Sequence, residues 1–154
     1  VKLMDEILEL AAADYDLKKK YDFKSIEIIK QYDEKLPMLP CEGPRIQQVL
    51  LNILRNGAQA MHTAKTKFPR FVIRIYKAEE SEMLCMEIED NGPGMDEDTR
   101  SKVFDPFFTT KPVGIGTGLG LSVSYFIITK NHKGKMDVIS EPGNGAVFII
   151  RLPV

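Results

Sequence analysis

Apolar residues along this chain first follow a helical rhythm. Over residues 2–20, Leu3, Ile7, Leu10 and Leu17 recur at near-helical spacing. Lys18, Lys19 and Lys20 stand where a helix C-terminus favours cations. The rhythm then changes to alternation, and residues 25–32 read as a strand with Ile26 and Ile28 on one face. A turn between Pro37 and Pro40 separates it from the strongest helix, Arg45 to about Ala64. Its apolar stripe is Ile46, Val49, Leu50, Ile53, Leu54 and Met61. Two alternating segments follow, one carrying Phe71, Ile73 and Ile75, the other Leu84, Met86 and Ile88. Residues 90–117 lose periodicity to Gly, Pro and charge, apart from a short helix at 96–103. A helix from about 118 to 130 comes next. A hairpin of residues 135–140 and 146–152 then turns through Pro142, Gly143, Asn144 and Gly145. No repeat or linker divides the chain. The pattern predicts one α+β domain over residues 1–154, with a largely antiparallel or mixed sheet and helices on one face.

Composition narrows the choice of ligand. The 154 residues are 44% hydrophobic, enough for a core, and the formal net charge is -1. Such a balance creates no global field for nucleic acid or anionic lipid, so neither partner is expected. A compact anion would need a local site. Cys41 and Cys85 form no metal cluster and can pair only if the fold brings them together. A reduced, cytoplasmic setting is the expectation, with any membrane tether elsewhere in a longer protein. No apolar run reaches membrane-spanning length, and no signal peptide precedes the first helix. The chain opens at Val1 directly in helical sequence, which suggests a domain excised from a longer protein.

Four segments place polar or glycine residues where a core would use apolar ones. Asn52 and Asn56 lie one turn apart and share a helical face. Asn offers a neutral oxygen that can ligate a hard cation such as Mg²⁺, although one core Asn and one surface Asn would give the same pattern. Asp90, Asn91, Gly92, Pro93, Gly94 and Met95 follow directly on a strand. A carboxylate there can accept from an exocyclic amine, and the glycines let a ligand come close; an ordinary turn also fits. Phe104, Phe107 and Phe108 stand beside Thr109, Thr110 and Lys111. They read as a hinged lid carrying a cation, with Phe107 and Phe108 packed as its hinge, or as a loop anchored by aromatics. Gly114, Gly116, Gly118 and Gly120 open a helix, whose free N–H groups can cradle phosphate. Neither the Walker A loop nor the dinucleotide fingerprint is present. In this order the segments supply a metal ligand, a base reader, a cover and a phosphate cradle, which together make a nucleotide site.

These segments resemble the N, G1, F and G2 boxes of the GHKL ATPase superfamily, and within it the catalytic domain of sensor histidine kinases. Residues 103–111 and 116–122 are most similar to kinases of the nitrogen-regulation type, and residues 143–148 resemble the family's last glycine motif. The resemblance implies a two-layer α/β sandwich, the Bergerat fold, with ATP under a mobile lid at about residues 109–117. It implies that Asn56 ligates Mg²⁺, that Asn52 lies beside the phosphates, and that Lys111 supplies a catalytic cation. Asp90 would accept from the adenine amino group and Gly94 would let the base approach. Gly116, Gly118, Leu119 and Gly120 would offer backbone to the phosphates. Gly92, Met95, Phe104, Thr110, Thr117 and Ala146 complete the implied nucleotide contacts.

Three departures stand out. Ala146 replaces a usual Thr, Gln59 replaces a frequent Lys whose charge Lys111 or Arg55 would supply, and Asn131, His132, Lys133 and Gly134 replace a usual His-Gly-Gly. Related hydrolases resemble one another in a Glu at the position of Asn52, and an amide cannot take a proton at neutral pH. A histidine acceptor brings its own lone pair, so the resemblance implies a protein-histidine kinase. His62 and His132 are the two histidines, and neither sits in an acceptor motif; His62 is expected to be structural or solvated and His132 exposed. The acceptor is expected on dimerisation helices upstream of Val1, with a homodimeric parent and a response regulator downstream. A nucleotide-sensing module without transfer and a gyrase-type hydrolase are the alternatives.

Overall fold

The computed structural model of the chain describes residues 1–13, 23–108 and 120–154. Its elements are α1 (Lys2–Ala13), a 3₁₀ turn (Phe23–Ser25), β1 (Glu27–Tyr32), α2 (Gly43–Thr63), β2 (Arg70–Lys77), β3 (Met83–Asp90), α3 (Glu97–Lys102), α4 (Gly120–Phe126), a π turn (Ile127–Asn131), β4 (Lys135–Ser140) and β5 (Ala146–Pro153). The strands form one sheet in the order β1-β2-β3-β5-β4. β1 pairs parallel with β2 and the other neighbours are antiparallel. A parallel pair cannot be joined by a tight turn, and α2 makes the crossover.

Strand alternation sorts the side chains into two faces. Phe71, Ile73, Ile75, Met86, Ile88, Phe148 and Ile150 point inward and form one core with the stripe of α2, with α1 and with Ile127 and Ile128. Phe71 is fully buried, and truncating such a ring costs about 3–5 kcal/mol. On the opposite face Arg74 pairs with Glu87 at 3.3 Å and Glu89 at 2.7 Å, while the Tyr76 hydroxyl donates to Glu87 at 2.7 Å. The expected sandwich, a mixed sheet covered by helices on one face, is the observed architecture. Cys41 and Cys85 are both free thiols.

Four local expectations need correction. The first strand begins at Glu27, because Ile26 N–H closes the 3₁₀ turn onto the Phe23 carbonyl at 3.1 Å; Ile26 is nonetheless buried. The buried stripe of α1 is Met4, Ile7, Leu8 and Ala11, whereas Leu10 is exposed. These four follow the i, i+3, i+4, i+7 pattern, which puts Leu10 about a third of a turn away. The helix predicted from 118 to 130 ends as α-helix at Phe126 and widens into the π turn, which buries Ile127 and Ile128 together. His132, expected to be exposed, is half-buried. Its Nε2 accepts from Glu42 N–H at 3.0 Å, so Nδ1 carries the proton and donates to the Ile127 carbonyl at 2.9 Å. The ring ties the end of the π turn to the start of α2.

The residue after it is under backbone strain. Lys133 has φ 53°, and a Cβ on the next residue, Gly134, would collide with the Arg151 carbonyl. The left-handed region costs a side-chain-bearing residue about 1–2 kcal/mol, against about 0.5–1 kcal/mol of extra unfolded-state entropy for glycine. Lys133→Gly should therefore stabilise the domain by about 0.5–1 kcal/mol. Urea unfolding of the two proteins checks this, and equal or lower stability in the variant would contradict it.

Candidate functional site

The site begins with a glycine inside a helix. Gly57 lies mid-way along α2 and is buried. Glycine there costs about 1 kcal/mol relative to Ala. The cost has a visible return: a Cβ on Gly57 would stand 2.6 Å from Cε1 of Phe71 and 3.4 Å from a carboxylate oxygen of Asp90. Bare backbone therefore lets α2 descend onto the sheet where β2 and β3 meet. Asn56, the preceding residue, is half-buried beside that contact. Asn52, one turn earlier, is also half-buried.

Asp90 ends β3 on the inward face, in register with Phe71 on one side and Ala146 on the other. It is only 7% exposed. Gly92 N–H donates to Oδ1 at 2.9 Å, and the backbone of Ala146 donates as well. Burial nevertheless dominates and pushes the carboxyl up to about 6 from its ordinary 3.8. A Cβ on Gly92 would stand 2.9 Å from Oδ1, so this residue too is glycine because the carboxylate occupies its flank. The acid is thus held in an apolar, glycine-lined wall. Ala146 contributes backbone, and its small side chain is buried.

The loop after Asp90 is locked to the β4–β5 turn. Gly94 (φ 71°) and Gly145 (φ 69°) both adopt backbone that favours glycine. A Cβ on Gly94 would collide with the carbonyls of Glu141 and Gly145, and one on Gly145 with the carbonyl of Asp90. Met95, half-buried, donates its N–H to Ser140 Oγ at 2.8 Å. Asp96 then caps the start of α3, accepting from Thr99 N–H at 2.7 Å.

The opposite side of the site is built on α4. Asn52 Nδ2 donates to the Gly120 carbonyl at 3.3 Å and to Ser124 Oγ at 3.2 Å. Ser124 is fully buried and donates in turn to Gly120 O at 2.8 Å. Asn52 therefore holds the first turn of α4. Phe104 stacks on Tyr125 with ring centroids 5.0 Å apart and meets Phe148 edge-on at 6.3 Å. Phe107 does not pack as a hinge: it is 74% exposed, with φ 63°. Phe104 anchors this segment instead, because Tyr125 and Phe148 offer it two aromatic faces. His62 is exposed at the end of α2, and Gln59 is half-buried.

The fold thus gathers Asn52 with Gly120, and Asp90 with Gly92 and Ala146. Met95 and Gly94 join the second group through the β4–β5 turn. Thr110, Lys111, Gly116, Thr117, Gly118 and Leu119 lie outside the described residues, as does the expected lid at 109–117. Sequence reasoning did not single out Gly57, Ser124 or Ser140. Gly57 carried a signal, a glycine interrupting an apolar helix. The two serines carried none.

A mixed sheet under helices, with a buried carboxylate in a glycine wall at the end of a central strand, is the architecture in which the family is met. The chain belongs to the family of histidine kinase-, DNA gyrase B-, and HSP90-like ATPases, whose family model matches residues 41–154. It is 41% identical over 129 residues to the signal transduction histidine-protein kinase AtoS of Escherichia coli (strain K12), covering 84% of this chain and 20% of AtoS. It is 33% identical to the sensory histidine kinase/phosphatase NtrB of Klebsiella oxytoca, covering 84% of this chain and 38% of NtrB. The catalytic domain of histidine kinase ThkA superposes with a TM-score of 0.76 at 28% identity, covering 97% of this chain and 93% of that domain. The chain therefore spans well under half the length of these two curated relatives. No helix among the described residues is long and apolar enough to cross a membrane.

The raised carboxyl of Asp90 has a measurable consequence. Its favourable contribution to stability is fully present below about pH 3.8 and is lost as pH rises through about 6. The displacement corresponds to about 3 kcal/mol. Asp90→Asn should therefore gain stability relative to the wild type, on the order of 3 kcal/mol, between pH 4 and pH 8. Urea unfolding of both proteins across that range checks it; a pH-independent difference would contradict a buried, proton-binding acid.

Proposed function

We propose that this chain is the ATP-binding catalytic domain of a sensor histidine kinase. It binds ATP with Mg²⁺ and presents the γ-phosphoryl to a histidine on dimerisation helices that are separate from it. The parent acts as a homodimer and passes the phosphoryl to a response regulator. The observation that carries this reading is Asp90: a buried carboxylate at the end of a central strand, in a wall that packs closely because Gly57 and Gly92 carry no side chain. Such an acceptor suits an exocyclic amine. The family membership and the kinase relatives support the same reading.

Each part of the site has a task in it. Asp90 accepts from the adenine amino group, and the backbone of Gly92 and Gly94 forms the wall beside the base. Met95, Phe104 and Ala146 line the same pocket. Asn56 offers an amide oxygen to Mg²⁺; among the described residues no three His, Cys, Asp or Glu come together, so the phosphates share the ion. Gly120 and the residues before it, Gly116, Thr117, Gly118 and Leu119, offer backbone N–H groups to the phosphates, with Thr110 and Lys111 beside them. ATP, when bound, supplies the transferable phosphoryl group. The remaining work is positioning and charge stabilisation.

Asn52 favours transfer over hydrolysis. Its amide nitrogen is already a donor to Gly120 O and Ser124 Oγ. A carboxylate at this position could not donate to that carbonyl, and the amide cannot take a proton from water. Asn52 therefore aligns the phosphate-binding helix and leaves the acceptor histidine to supply its own lone pair.

Two measurements test the proposal. Asp90→Ala should weaken ATP binding about 10- to 150-fold, the worth of a charge-assisted hydrogen bond of about 1.5–3 kcal/mol. Unchanged affinity by calorimetry would remove the adenine assignment. Mixed with the parent's dimerisation helices and labelled ATP, the chain should yield a phosphoramidate, labile in acid and stable in alkali. Acid-stable label would indicate a hydroxyl acceptor, and rapid phosphate release without acceptor would indicate a hydrolase.

A further inference from the structure

The wall around Asp90 is assembled from two segments distant in sequence, residues 90–95 and residues 140–146. Their backbones meet face to face at Gly94 and Gly145, where no side chain fits. Close packing of this kind sets a separation but fixes no alignment along the contact. Directional bonds supply that. Gly143 N–H donates to the Pro93 carbonyl at 2.7 Å. Ser140, the last residue of β4, uses one hydroxyl on both segments: it accepts from Met95 N–H at 2.8 Å and donates to the Gly145 carbonyl at 2.7 Å. In the sheet register Ser140 lies opposite Ala146, which lies opposite Asp90. The three side chains therefore stand in a row on the inward face, with the hydroxyl at one end and the carboxylate at the other.

We infer that Ser140 is a positioning residue for base selection. It acts through Met95 N–H and the Gly145 carbonyl, holding the Gly92–Met95 wall and the Gly145–Ala146 backbone in register with Asp90. This rests on the proposal that Asp90 reads adenine. Without the hydroxyl, Met95 N–H and the Gly145 carbonyl lose a shared partner. The wall then shifts relative to the carboxylate, so a contact that depends on geometry suffers. Phosphate binding is built on α4 and is unaffected.

The test compares ATP with inosine triphosphate, whose base has an oxo group in place of the exocyclic amine that Asp90 would accept from. Affinities of the 154-residue chain are measured by calorimetry at pH 7.5. Ser140→Ala should weaken ATP binding about tenfold and change inosine triphosphate binding less than about twofold. Ser140→Thr, which keeps the hydroxyl on a strand that tolerates β-branching, should restore discrimination. Equal losses for both nucleotides would mean a general structural role and overturn the inference, as would undiminished ATP affinity or failure of the Thr variant to rescue. Should Ser140→Ala not fold, Ser140→Cys keeps the volume and weakens both bonds, and its results are read the same way. A wild type that binds both nucleotides alike would remove the adenine reading itself, and this inference with it.

Discussion

The buried carboxylate of Asp90 is the constraint around which the site is arranged. An ionised acid costs free energy wherever water is excluded, and here the backbone N–H groups of Gly92 and Ala146 offset part of that cost. The surroundings show what keeping it requires. α2 gives up a side chain at Gly57, the following loop gives one up at Gly92, and β5 begins with the small Ala146. Each change lets backbone pack closely around a buried carboxylate where a larger apolar side chain would otherwise stand. A domain selected for stability alone would place an apolar residue at position 90.

Two platforms carry the rest. The end proposed for the base is made from the sheet, where the end of β3 lies beside the start of β5 and their loops interlock at Gly94, Gly145 and Ser140. The end proposed for the phosphates is made from helices, where Asn52 of α2 holds the first turn of α4. α2 joins both platforms, since Asn52, Asn56 and Gly57 lie within two turns. Separate platforms allow one end to change without the other. Position 146 illustrates this: its side chain is a bare methyl, and the backbone donates to Asp90.

The helical layer is held to the sheet by more than apolar packing. His132 bridges the π turn and the start of α2, and Phe104 is clasped between Tyr125 and Phe148.

Periodicity alone determined most of the elements, because burial on one face imposes a helical period on α2 and a period of two on β2, β3 and β5. The residue types at Asn56, Asp90, Gly92, Gly94 and Gly120 also pointed to a nucleotide from sequence, since so many helix- and strand-breaking choices in one domain have few structural uses. Local reasoning failed where a distant partner decided the outcome. The half-burial of His132 depends on Glu42, ninety residues away. The role of Phe104 rather than Phe107 as anchor depends on rings in α4 and β5. Gly57 needed Phe71 and Asp90 to explain it, and Ser140 needed Met95 and Gly145. A hydroxyl's importance lies in which two groups it joins, and only the folded chain brings those groups within hydrogen-bond reach.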